Sequence, residues 1–109
     1  MSVSLVVSEQ IAQQIERLTW SEAHTIDDKL SRLLSAELRR RLASYHLTDL
    51  QLSQKYGMDF EAFERQGVTK GRDYSWEVES DAITWETAVD GIRTMERQLN
   101  ELHGNTGGN

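Results

Sequence analysis

Apolar and polar positions along this chain change their repeat once, near the start. Val3, Leu5 and Val7 alternate with Ser2, Ser4 and Val6, a period of two that predicts a short strand with one apolar face. From Ser8 onward the period becomes helical. Ser8 supplies an N-cap oxygen and Glu9 suits the positive end of a helix, whose apolar stripe is Ile11, Ile15 and Leu18. Trp20 to His24 reads as a connector. Thr25-Ile26-Asp27-Asp28 resembles a capping box with Asp in the last place, and Leu30, Leu33, Leu34, Leu38 and Leu42 mark one face of the helix it opens. Leu47, Leu50 and Leu52 extend helical character to Lys55, either in the same helix or in a new one capped by Thr48.

Gly57 is the expected C-cap of this segment. Asp59 caps a short helix from Phe60 to Gln66, closed by Gly67, and Val68 to Arg72 forms a connector. The last element has the clearest pattern. Val78, Ala82, Trp85, Val89, Ile92, Leu99 and Leu102 recur at steps of three and four, with Met95 beside them and Glu86, Asp90, Arg93 and Arg97 on a second stripe. This predicts a long amphipathic helix over 75–102, about 40 Å at 1.5 Å per residue, followed by a flexible tail, 105–109.

The lone strand has no mate elsewhere in the sequence, and an unpaired strand leaves backbone groups open. A second copy satisfies it, so the fold expected is mainly α, with one short N-terminal strand pairing across a dimer, then a short helix and a long C-terminal helix. Residues 1–56 form the dimerisation module and 57–104 a separate helical region. The expected dimer interface is Val3, Leu5, Val7, Ile11, Leu30 and Leu34.

Charge sharpens this division. The chain of 109 residues carries a net charge of −6. Up to Gly57 acidic and basic side chains balance at seven each, so the whole excess lies in the second half. The acidic balance speaks against wholesale nucleic-acid binding. With no cysteine there are no disulfides or thiolate metal sites. Met1 to Leu5 has no basic leader, and no run approaches the roughly 20 apolar residues of a membrane span; a cytoplasmic protein without membrane contact is expected. His24, His46 and His103 are isolated from one another, Gly67 and Gly71 are too sparse for a phosphate-binding loop, and the acids Glu77, Glu79, Asp81 and Glu86 are explained by a helix N-terminus. No metal, no cofactor and no catalysis are expected. Of the three tryptophans, Trp85 falls on the apolar stripe and Trp76 just ahead of it, among acids, where an aromatic anchor suits a protein interface.

Val3-Ser4-Leu5-Val6-Val7, Ser8-Glu9 and Thr25-Ile26-Asp27-Asp28 together resemble the ribbon-helix-helix module of Arc- and MetJ-type repressors, which many type II antitoxins carry. Lys55-Tyr56-Gly57-Met58-Asp59-Phe60-Glu61-Ala62-Phe63 and Tyr74-Ser75-Trp76-Glu77-Val78-Glu79 are similar to small prokaryotic antitoxin-like proteins. The resemblance implies a homodimer that neutralises a toxin encoded by a neighbouring gene, with Tyr74, Trp76, Glu77, Glu79 and Trp85 as contacts on a basic toxin surface. It also implies DNA readout by the outward strand positions, here Ser2, Ser4 and Val6, with Thr25 at the phosphates. These side chains carry no charge, where such strands present Arg, Lys, Gln, Asn or Thr. The alternatives are a repressor of operator DNA, its own operon included, and a plain helical oligomerisation scaffold.

Overall fold

A computed structural model of the chain describes residues 2–67 and 75–106, with side chains up to Gly104. Four helices follow one another: α1 (Glu9–Arg17), α2 (Ile26–Tyr56), α3 (Phe60–Arg65) and α4 (Trp76–Thr106). Mainly-α holds. The expected ribbon does not: residues 2–7 form no strand, and among the described residues the one β-type pairing is an isolated bridge between Trp20 and Ala23. Strand identity requires a paired backbone, and alternation of side chains alone does not supply one. Among the described residues no helix is long and apolar enough to cross a membrane.

The capping expected at Ser8, Thr25 and Asp59 is realised, and the structure adds a fourth cap at Ser75. Ser8 Oγ accepts from the Ile11 amide at 3.2 Å, Thr25 Oγ1 from Asp28 at 3.0 Å, Asp59 Oδ1 from Ala62 at 2.8 Å and Ser75 Oγ from Val78 at 3.2 Å. The choice near Thr48 resolves as one continuous helix of 31 residues. Thr48 is half-buried along it and donates to the Ser44 carbonyl at 3.3 Å. α2 stops at Gly57, whose φ of 68° only glycine adopts readily, and the Met58 amide closes the turn on the Ser53 carbonyl at 3.2 Å. α4 also has 31 residues and runs into the segment expected to be a tail.

The chain divides into two compact units, Met1–Ala36 and Glu37–Asn109, and the division falls inside α2 rather than at Gly57. In the first, α1 buries no residue, and Ala23 is the one buried side chain among the described residues. Lys29 Nζ donates to the Glu16 carbonyl at 2.8 Å, which satisfies a C-terminal acceptor of α1, and Arg32 meets Glu22 at 3.0 Å.

The second unit holds the main core. Leu38, Leu42, Tyr45, Asp49, Leu52 and Tyr56 follow steps of four and three on one face of α2, and α4 packs antiparallel against them: Tyr45 lies by Gly91, Asp49 by Trp85, and Lys55 by Asp81. Trp85 is fully buried, with ring centroids of Phe63, Phe60 and Tyr56 at 5.0, 5.5 and 5.9 Å. Its indole N–H donates to Asp49 Oδ1 at 2.7 Å, so the one polar atom of the side chain is satisfied inside the core. The turn at Gly57 exists to bring Phe60 and Phe63 of α3 back onto this indole.

Truncating Trp85 to Ala removes the contact point of three elements and leaves Asp49 without its donor. Chemical denaturation of the variant is expected to show a loss of about 3–5 kcal/mol.

At Gly91 the backbone approaches Tyr45 so closely that a Cβ would lie 2.4 Å from the ring. Gly91→Ala is therefore expected to destabilise the unit by about 1–3 kcal/mol, although alanine is the better helix former. Adding Tyr45→Ala should recover part of the loss in a thermal melt of the double variant.

Candidate functional site

One surface of the second unit combines exposed apolar side chains with carboxylates, and it lies on the side of α4 facing away from the core. Trp76 and Ile83 are seven residues apart, two turns, and therefore share a side. They are 82% and 67% exposed. Glu79, Glu86 and Asp90 follow at steps of three and four, which places all three on that same side. Next to Ile83 a groove of about 440 Å³ opens between α3 and α4, with Phe60, Phe63 and Ala82 in its apolar lining and Glu64 and Glu86 at its rim. The face is an apolar strip bordered by Glu79 and Glu86, and farther along α4 Asp90 is paired with Arg93 at 3.9 Å.

An ion-pair network anchors the N-terminal end of this helix. Lys55 Nζ lies 2.7 Å from Glu77 and 2.6 Å from Asp81, and Tyr56 donates its hydroxyl to the same Asp81 oxygen at 2.7 Å. Burial works against the charge on Asp81, but the hydrogen bonds from Lys55 and Tyr56 outweigh it and hold the carboxyl below its usual range. The hydrogen bonds to Asp81 and Glu77 raise Lys55 well above its ordinary value. Further along α2, hydrogen bonds from Arg40 and then Arg41 lower Glu37 to about 2.

Of the toxin contacts expected from the sequence, Trp76 and Glu79 lie on the acidic face. Glu77 is held by Lys55. Trp85 is corrected: it is the centre of the core and has no surface to offer. Tyr74 lies outside the described residues. Ile83 and Asp90 complete the face although the sequence did not single them out as contacts. Their signal was the seven-residue interval from Trp76, half a turn away from the core stripe.

The positions expected to read DNA are also corrected. Ser2, Ser4 and Val6 belong to no strand, with Val6 99% exposed, so the described residues hold no ribbon to enter a groove, and the Thr25 hydroxyl is occupied in capping α2. Val3, Leu5, Val7, Ile11 and Leu34 of the expected dimer interface are exposed and Leu30 is half-buried. Among the described residues no three His, Asp or Glu side chains converge as a metal site.

The linkage of Asp81 has a definite sign. Its folded-state pKa is depressed, so its contribution to stability is present at neutral pH and is lost as pH falls below about 4. Asp81→Asn should therefore lower the melting temperature at pH 7 and have a smaller effect at pH 3, as measured by circular dichroism at both pH values.

No family model, no curated protein and no solved structure matches the chain, so any functional reading rests on the surface just described.

Proposed function

We propose that this protein is an antitoxin-like inhibitor that covers a basic surface of a toxin encoded by a neighbouring gene. The observation carrying this reading is the pair Trp76 and Ile83, exposed one heptad apart on α4 and bordered by Glu79, Glu86 and Asp90. A large aromatic left in water beside a second apolar side chain is an anchor without its pocket. The surrounding carboxylates select a partner bearing Lys and Arg, and they steer its approach. A toxin that acts on RNA needs such a cationic surface for its substrate. Occupying that surface blocks the substrate sterically and neutralises the charge that attracts it.

The scaffold suits the task. The core around Trp85 holds α4 by its inner side and presents its outer face preformed, which limits the ordering entropy lost on binding. Lys55 ties down the first turn of the helix next to Trp76 without occupying Glu79 or Glu86.

Co-expression provides the test. The neighbouring gene expressed alone should arrest growth, and this chain should relieve the arrest and co-purify with its product. The pair Trp76→Ala and Ile83→Lys should reduce capture at least tenfold, roughly the effect of losing a hot spot, with helix content unchanged by circular dichroism. Relief of arrest that is indifferent to both substitutions, or a neighbouring product that neither arrests growth nor binds, contradicts the proposal.

A further inference from the structure

α2 also has two faces. Opposite the row that packs on α4, the side chains Arg40, Ala43, Leu47 and Leu50 follow one another at steps of three, four and three. Leu47 and Leu50 are 55% and 53% exposed, and Arg39 and Arg40 border the row. Glu37 is shared between Arg40 and Arg41 at 2.7 Å each, which leaves this stretch with excess positive charge. It is the counterpart of the acidic face of α4, in charge and in spacing.

The two rows match when run antiparallel. With Leu50 opposite Trp76, the shared three-four-three spacing sets Leu47 opposite the aliphatic stem of Glu79, Ala43 opposite Ile83 and Arg40 opposite Glu86. Large side chains thus meet apolar or small ones, and the charged ends have opposite sign. We propose that the outer face of α2 is a docking surface for the outer face of α4 of a second copy of this chain. Within one copy α2 and α4 are antiparallel, so a second copy placed by translation presents its α2 antiparallel to the first copy's α4 with no rotation. The two faces lie on opposite sides of the α2–α4 layer. The contact is therefore heterologous and leads to open-ended chains rather than a closed dimer.

This association stands independently of the toxin reading. It shares Trp76, Ile83 and Glu86 with that reading, so self-association and a basic partner compete for one face.

Sedimentation velocity of the full chain at low salt, over a concentration series, tests the inference. The mean mass should rise with concentration and fall on adding salt, because the bordering charges are screened. Glu86→Arg and Arg40→Glu should each weaken association about tenfold by setting like charges face to face, with melting curves confirming that both variants fold. An equimolar mixture of the two single variants should associate again, since each offers the other the missing charge. A chain that stays a single monomeric species at every concentration overturns the inference. So does association that ignores both reversals, or a mixture no better than its components.

Discussion

The second unit depends on the burial of one indole. Trp85 is held by α2 through Asp49, by α3 through Phe60 and Phe63, and by its own position on α4. Removing so large a surface from water is worth several kcal/mol, on the order of the net stability of a small domain. Asp49 allows it by satisfying the N–H, and the left-handed turn at Gly57 allows it by returning α3 to the core. The closeness of Gly91 to Tyr45 and the reach of Lys55 to Asp81 both follow from holding two helices antiparallel around this side chain.

Because the core uses one row of each long helix, the opposite rows are free to carry recognition. On α4 that row is apolar and acidic; on α2 it is apolar and basic. Hydrophobic residues on both sides of a helix exceed what a single core requires, and such an excess on a monomer marks interaction surface. The separation of charge follows the same division, with Arg39, Arg40 and Arg41 clustered on α2 and the whole acidic excess after Gly57.

Much of this was legible in the residues. Ser8, Thr25 and Asp59 cap helices as short polar side chains do, Gly57 and Gly67 take positive φ, and the steps from Val78 to Leu102 give α4 its inner face. Three things were not. Alternation at Val3, Leu5 and Val7 suggested a strand, yet strand pairing is a non-local property that local pattern does not determine. The role of Trp85 was ambiguous because an aromatic on an apolar stripe serves a core or an interface equally well. Only the positions of Asp49, Tyr56 and Phe63 decide between them. The outer face of α4 was partly visible through Trp76 and Glu79, but Ile83 lies between two stripes and acquires meaning only once the inner one is buried.

α4 turns Trp85 inward and Trp76 outward. Fluorescence of single-tryptophan variants, with Trp20 and one of the other two replaced by Phe, tests it directly. Trp85 is expected to give blue-shifted emission that resists acrylamide, and Trp76 red-shifted emission that acrylamide quenches freely. Equal quenching of the two, or a protected Trp76 beside an accessible Trp85 in the dilute chain, contradicts it.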